Sequence, residues 1–117
     1  MKKQIMFYAF GILPLSILGC GETIKPQDEP NNKLAIEEIL KEPKVKEAII
    51  TDANVLYVSV EDDGTNRSGY ASYICEVLRE KKATTNWVKV VKVNSTNDPK
   101  SDNAFGVLLG ESHCDDN

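Results

Sequence analysis

Three cysteines and a single histidine carry the most distinctive chemistry in this chain: Cys20, Cys75, Cys114 and His113. Nucleophilic catalysis needs a thiol or hydroxyl with a general base within reach, and that base is usually a histidine. His113 lies beside Cys114 near the end of the sequence, where an exposed tail histidine is the simpler interpretation. The cysteines form no CxxC pair, so the pattern does not favour a metal site either. We therefore predict no catalytic residue, no cofactor and no metal.

Carboxylates cluster in two polar segments, at Glu61-Asp62-Asp63 and at Asp98 and Asp102. General acid–base chemistry requires a carboxyl group whose pKa is raised by burial in a cleft. Both segments are typical of turns, in which Asp and Asn bond to the nearby backbone. The stretch from Glu61 to Asn66 lacks the alternating Asp positions and the closing Glu of a calcium loop. Solvated turns are the leading interpretation, and a weak cation site between the two loops is the alternative.

Residues 1–19 have the pattern of a segment that directs export. Lys2 and Lys3 give a positive start, and an apolar run of roughly 14 residues follows, shorter than the ~20 that a membrane-spanning helix needs. A positive start, an apolar stretch and a small residue at the cleavage point are typical of a secretory signal peptide. Pro14 interrupts the run, so a retained transmembrane anchor is the weaker interpretation.

The end of this segment, Ile17-Leu18-Gly19-Cys20, resembles the lipobox of bacterial lipoproteins. The resemblance covers residues 1–20 alone, and Ile17 stands where that family most often has Leu. It implies cleavage before Cys20 and acyl chains, such as palmitate, on the Cys20 thiol and amino group. Two or more acyl chains give stable membrane anchoring, which a single chain does not. In that family an Asp directly after the Cys retains the lipoprotein in the inner membrane, and Gly21 at this position favours the outer membrane. The alternative for the whole segment is an ordinary signal peptide that contains a Cys.

With Cys20 acylated, Cys75 and Cys114 remain, and an even pair of cysteines in an exported protein predicts a disulfide. Closing a loop of roughly 40 residues stabilises a fold by about 4 kcal/mol in the chain-entropy model. Cys75 falls on the apolar side of a predicted helix, which suits a buried half-cystine better than a reactive thiol. Two free thiols are the alternative.

The remaining composition limits the partners. Removal of residues 1–19 leaves 12 basic and 18 acidic side chains, a net charge near −6. This charge disfavours nucleic acid and anionic lipid surfaces, where Lys and Arg supply most of the affinity. Residues 20–32 are polar and carry two prolines, so they predict a flexible tether after the lipidated Cys20. Residues 33–117 suffice for one small globular α/β domain.

Hydrophobic periodicity predicts two helices and three strands in this domain. The first helix runs from Lys33 to about Glu42 with Asn32 as its N-cap, and one or two further turns follow Pro43. The second helix runs from about residue 66 to residue 82. The predicted strands are Val55–Glu61, Trp87–Val93 and Ala104–Leu109, with a bulge or bend near Val90 and Val91.

The order α-β-α-β-β indicates an α/β fold in the form of an α+β sandwich: a three-stranded mixed sheet with both helices on one face. Leu56, Val58 and Val60 are uniformly aliphatic and are expected in the core, so Tyr57 points to the opposite face. Trp87 either joins Tyr57 there or packs on a strand end or on the tail. A sheet face bearing aromatic side chains is a candidate partner surface.

These patterns predict a membrane-anchored lipoprotein of the cell envelope that acts as a non-catalytic binding or accessory module. Its acyl chains hold the membrane, and a protein partner binds at Tyr57 and Trp87. An envelope enzyme or enzyme regulator with an acidic loop site, and a structural subunit of an envelope assembly, are the alternatives. An enzyme needs a cleft with convergent titratable groups, whereas the other two need a contiguous apolar or aromatic patch.

Overall fold

The structure is a computed structural model that describes residues 24–95 and 105–116. The lipobox with Cys20 and the acidic pair Asp98 and Asp102 lie outside the described residues. In chain order the elements are α1 (Pro30–Ile39), β1 (Glu47–Ile50), β2 (Leu56–Val60), α2 (Ser68–Glu80), β3 (Trp87–Lys92) and β4 (Leu108–His113), with 3-10 turns at Pro26–Asp28 and Cys114–Asp116. Within these ranges, neither helix has the length and apolar character needed to cross a membrane.

The four strands form one mixed sheet in the order β1-β2-β3-β4. β2 and β3 run parallel and are joined through α2, whereas the β1–β2 and β3–β4 pairs are antiparallel. The α+β class and the mixed sheet agree with the sequence analysis. The prediction of three strands is wrong, because a fourth strand precedes β2.

The additional strand is β1, in the segment for which further helical turns after Pro43 were predicted. Ala48 and Ile50 face the helices while Glu47 and Ile49 face away, so the segment follows the two-residue period of a strand. A tight hairpin joins β1 to β2: the Asn54 N–H donates to the Thr51 carbonyl, and the Thr51 N–H to the Val55 carbonyl. Asn54 adopts a φ of 65°, which Asn tolerates well in such three-residue hairpin loops. Pairing with β2 therefore overrides the local helical pattern.

The core lies between the sheet and the two helices. Leu56, Val58 and Val60 of β2 are fully buried in it, as predicted. From α2 the buried side chains are Ala71, Ile74, Cys75, Val77 and Leu78, which form the predicted apolar stripe. From α1 only Ala35 and Ile39 are buried in the core, while Leu34 and Leu40 are about half exposed.

The folded domain begins before residue 33, the boundary that the sequence predicts. The α1 helix starts at Pro30, and its N-cap is Glu29, whose side chain accepts a hydrogen bond from the Asn32 N–H. Asn32 is not the N-cap but a fully buried residue within the first turn. Residues 26–32 are thus part of the domain rather than of a flexible tether, because Pro30 at the first helical position and Glu29 before it start the helix early.

The last strand also differs from its predicted bounds. β4 covers Leu108–His113 rather than Ala104–Leu109, and Ala104 lies outside the described residues. The strand pairs with β3, and the register of this pair shifts between Val90 and Val91, where a bulge or bend was predicted. Hydrogen bonding to β3 extends the strand through the polar run Glu111–His113, where the hydrophobic pattern gives no signal.

A disulfide joins Cys75 in α2 to Cys114 directly after β4. The two Cα atoms are 5.2 Å apart, inside the range that such a bond requires. Two hydrogen bonds hold the same corner: the Cys114 N–H donates to the Asn86 carbonyl at 2.7 Å, and Arg79 Nη2 donates to the Cys114 carbonyl at 2.9 Å. The predicted pairing and its placement against the middle of the second helix are confirmed.

Candidate partner surface on the outer face of the sheet

The sheet face opposite the helices is called the outer face here, and strand register determines its composition. One row across the four strands contains Ile49, Tyr57, Lys89 and Glu111, since these residues are aligned partners in neighbouring strands. A second row contains Trp87 and His113. The structure thus brings the predicted residues Tyr57 and Trp87 to one face, on adjacent strands.

Trp87 is fixed in place by contacts on several sides. Its indole Nε1–H donates to Glu111 Oε1 at 3.0 Å, and its ring stacks on the His113 imidazole with centroids 4.5 Å apart. Lys89 Nζ lies 4.6 Å from the centre of the same ring. Trp87 therefore lies on the outer face with Tyr57 and also packs against β4 near the end of the chain. Both predicted placements of this residue apply.

Tyr57 occupies the middle of the outer face and contacts Phe105 from the segment before β4. The two ring centroids are 4.7 Å apart at a tilt of 45°, a favourable aromatic arrangement. Lys89 Nζ is 5.7 Å from the centre of the Tyr57 ring, so this ammonium lies between the two aromatic residues. Each such cation–π contact contributes about 0.5–1 kcal/mol at an exposed site.

The apolar part of the outer face remains accessible. Phe105 and Ile49 are each 43% exposed, and Val107 is 37% exposed. An open depression of about 710 Å³ lies beside them along β1 and β2. Its walls include Ile49, Val55, Tyr57 and Phe105, with Asp52 and Gln27 at a polar side. Together the aromatic rings and this depression form a contiguous surface with both apolar and polar groups.

Sequence reasoning did not include Phe105, Lys89, Glu111 and His113 in this surface. Phe105 was expected in a third strand, and it instead lies just before β4 and packs on Tyr57. Glu111 and His113 follow the end of the predicted third strand, Ala104–Leu109. The alternating pattern of β4, once its pairing with β3 is known, is the signal that identifies both.

The acidic loop before α2 uses its carboxylates for turns. Asp63 Oδ1 accepts from the Thr65 hydroxyl at 2.6 Å and from the Thr65 N–H at 3.0 Å. Asp62 Oδ1 accepts from the Gly64 N–H at 2.9 Å. The bonds from Thr65, with a smaller contribution from the Arg67 guanidinium, lower the pKa of Asp63 below its ordinary value. A general acid requires a raised pKa, so the lowered pKa of Asp63 does not suit that role.

Arg67 ties this loop to the start of α2. Its Nη2 donates to the Glu61 carbonyl at 2.9 Å and lies 3.4 Å from Asp63 Oδ2, and its side chain is almost fully buried. The Asn66 side chain accepts from the Ser68 N–H at 2.7 Å. Among the described residues, no group of three or more His, Cys, Asp or Glu side chains is placed to hold a metal ion.

Comparison of this chain with protein-family models, with curated proteins and with solved structures gave no match. The functional argument therefore depends on the geometry of the outer face and on the pattern of the first twenty residues.

Proposed function

We propose that this protein is a lipoprotein of the bacterial cell envelope, anchored through Cys20, that binds a partner protein on the outer face of its sheet. The main support for this proposal is that Tyr57 and Trp87 lie on one sheet face, beside the exposed side chains of Phe105 and Ile49. Tyrosine and tryptophan are enriched in protein interfaces and dominate their binding energy. A non-catalytic binding module is the function that this surface supports best.

The rigidity of the surface supports the same proposal. Trp87 is held by Glu111, His113 and Lys89, so little side-chain freedom remains to be lost when a partner binds. Each rotamer-rich side chain that binding must immobilise costs about 0.5–1.5 kcal/mol, and prior fixation reduces that cost. The enzymatic alternative has weaker support, since the carboxylates of the acidic loop serve as turn acceptors.

Site-specific photo-cross-linking tests the binding surface. A photo-reactive amino acid is placed at Phe105 or His113 on the outer face, or at Leu34 on the exposed side of α1 as the control, in the full-length chain in cells. We expect one discrete protein adduct from Phe105 and His113 and none from Leu34. Trp87→Ala should lower the adduct yield at Phe105 about tenfold, the effect of losing an interface hot spot of ~1.4 kcal/mol.

Two results would contradict the binding surface. One is the same adduct from Leu34; the other is an adduct yield that Trp87→Ala leaves unchanged. A thermal unfolding curve of Trp87→Ala shows whether the variant is folded, and a folded variant that loses the adduct supports the proposal.

Mass spectrometry of the mature N-terminus tests the anchor. We expect Cys20 as the first residue, carrying acyl chains, and we expect Cys20→Ser to leave the precursor uncleaved and without lipid. An unmodified N-terminus at another residue would contradict the lipoprotein assignment while leaving the proposed binding surface untouched.

A further inference from the structure

The folded part of the chain begins at a fixed point, the 3-10 turn Pro26–Asp28. Gln27 Nε2 donates to Asp52 Oδ1 at 2.7 Å, which ties the turn to the hairpin between β1 and β2. The Pro26 carbonyl accepts from Nδ2 of the buried Asn32 at 3.0 Å. The position of the chain relative to the sheet is therefore set from Pro26 onwards.

This turn lies at the rim of the candidate partner surface. Gln27 and Asp52 form the polar side of the open depression of about 710 Å³, and Tyr57 and Phe105 belong to its apolar side. Tyr57 in turn shares the outer face with Trp87 on the neighbouring strand. The chain therefore enters the domain beside the surface that is proposed to bind a partner.

Little chain separates this point from the proposed anchor. Five residues, 21–25, lie between Cys20 and Pro26. Covalent geometry limits the Cα–Cα distance across this stretch to about 22 Å, and a flexible chain of the same length has a root-mean-square span of roughly 12–15 Å. A tether that extended to residue 32, as the sequence predicted, would have about twice the reach. An acylated Cys20 therefore holds the Gln27 rim of the depression close to the bilayer.

A short tether favours a partner that is held in the same bilayer. Two groups confined by a short flexible connection meet at an effective concentration in the millimolar range, without any additional contact. A partner in free solution gains nothing from the tether. The lipid surface itself is disfavoured as the occupant, because the mature chain has a net charge near −6 and the Asp52 carboxylate lies at the rim of the depression.

We propose that the partner of the outer face is a protein of the same membrane, either embedded in it or anchored to its surface. The domain meets this partner beside the bilayer, with the depression between Gln27 and Phe105 on the side near the lipid. The inference rests on the proposed function, both the Cys20 anchor and the binding surface, and adds where the partner is held.

Release of the domain from the membrane tests where the partner is held. The photo-reactive amino acid at Phe105 is carried by two forms of the chain in cells: the full-length chain, and a chain in which a secretory signal peptide without a lipobox replaces residues 1–20. Both forms are exported, and they differ in the lipid anchor. We expect the protein adduct to fall at least tenfold in the released form. We also expect the partner, identified from the adduct of the anchored form, to sediment with membranes.

A longer tether tests the distance to the bilayer and retains the anchor. Insertion of about 24 Gly and Ser residues between Thr23 and Ile24 lengthens the tether roughly fivefold and leaves the turn at Pro26 unchanged. Effective concentration falls roughly as the −3/2 power of tether length, so the adduct yield should fall by up to about tenfold. The matched control carries the same insertion after Asn117, and its adduct yield should equal that of the original chain.

Three results would overturn the inference. The first is an equal adduct yield from the released and the anchored forms, the second is a yield that the longer tether leaves unchanged, and the third is an adduct of Phe105 with lipid in place of protein. The first two leave the proposed binding surface intact. Absence of any adduct from the anchored chain would instead contradict the proposed function. The extended form keeps the anchor, so it decides the matter should the released form fail to fold.

Discussion

At the scale of single residues, Asn32 organises a buried corner of the domain. Its Nδ2 donates to the Pro26 carbonyl and to Thr84 Oγ1, both at 3.0 Å, and its Oδ1 accepts from the Thr84 N–H at 2.8 Å. The side chain is fully buried and joins the 3-10 turn, α1 and the segment before β3. Because a buried polar group is costly when it loses its partners, these bonds make Asn32 a specific stabilising residue.

We expect Asn32→Ala to lower the free energy of unfolding by about 2–3 kcal/mol, since it removes three hydrogen bonds made by a fully buried side chain. Urea unfolding measures the change. Asn31→Ala is the matched control, because Asn31 makes a longer bond of 3.2 Å to the Lys82 carbonyl at an exposed position. Its effect should stay within about 0.5 kcal/mol. Equal losses from both variants would show that Asn32 has no special role.

Asp63 makes a pH-dependent contribution to stability. Its pKa is lower in the folded protein than the ordinary 3.8, chiefly because of the hydrogen bonds from the Thr65 hydroxyl and N–H. A group whose pKa is depressed on folding contributes stability above its unfolded pKa, and this contribution is lost as the pH falls through the folded value. The ionised Asp63 carboxylate therefore stabilises the folded protein near neutral pH. This contribution disappears in acid, where the carboxylate is protonated.

We expect Asp63→Asn to unfold at lower urea concentration than the wild type near pH 6, and the difference to vanish as the pH approaches about 2. Unfolding midpoints measured in steps between these values check the sign. Asp62→Asn in the same loop removes the same formal charge and serves as the control. A difference that persists unchanged in acid would mean that ionisation of Asp63 is not the cause.

At the scale of elements, β4 and the start of α2 approach so closely that a glycine is required. A Cβ atom at Gly110 would overlap the carbonyl carbon of Arg67 and the amide nitrogen of Ser68. These are backbone atoms, so they cannot move aside as a flexible side chain can. The contact also carries the hydrogen bond from the Arg67 N–H to the Leu109 carbonyl. The α2–β4 packing therefore depends on this missing side chain.

Gly110→Ala should destabilise the domain by about 3 kcal/mol or more, because a methyl group would force the helix away from the strand. Thermal unfolding provides the measurement. Gly69→Ala, in the first turn of α2, is the control, since its Cβ would meet nothing within 4 Å. Alanine there should stabilise the helix by up to about 1 kcal/mol. Opposite signs for the two variants are the expected result, and equal effects would contradict the close packing.

At the scale of the whole molecule, the disulfide attaches the segment after β4 to the core through α2. It links α2 to the residue after β4 across a sequence separation of 39. A cross-link of this span reduces the conformational freedom of the unfolded chain. The strands β2, β3 and β4 all precede Cys114 in the chain. The bond therefore holds the last strand, which carries Glu111 and His113 of the outer face.

We expect Cys114→Ser to lower the free energy of unfolding by about 2–4 kcal/mol under non-reducing conditions. The double variant Cys75→Ser with Cys114→Ser should be about as unstable as either single variant, because all three lose one and the same bond. Chemical unfolding without reductant measures both. A direct check is thiol titration of the mature unfolded protein, where two reactive thiols in the absence of reductant would rule the bond out.

The residue patterns of β2 and α2 alone were enough to predict their core faces, and cysteine counting was enough to predict the Cys75–Cys114 bond. These features depend on local periodicity and on chemistry, which are properties of short stretches of sequence. The strand β1, the extension of β4 and the role of Asn32 depended instead on pairing and burial against distant segments. Residues 45–50 have a weak local preference for helix, and their hydrogen bonds to β2 outweigh it.

The candidate partner surface was also predictable from the sequence only in part. Alternation along β2 predicted that Tyr57 points away from the core, because neighbouring residues of a strand point to opposite faces. Only the tertiary structure placed Phe105, Lys89, Glu111 and His113 around Tyr57 and Trp87, since strand order and register decide which side chains share a face. The position of β1 at one edge of the described sheet has the same origin. An edge exists only once the order of the strands is fixed, and that order is set by contacts between segments far apart in the chain.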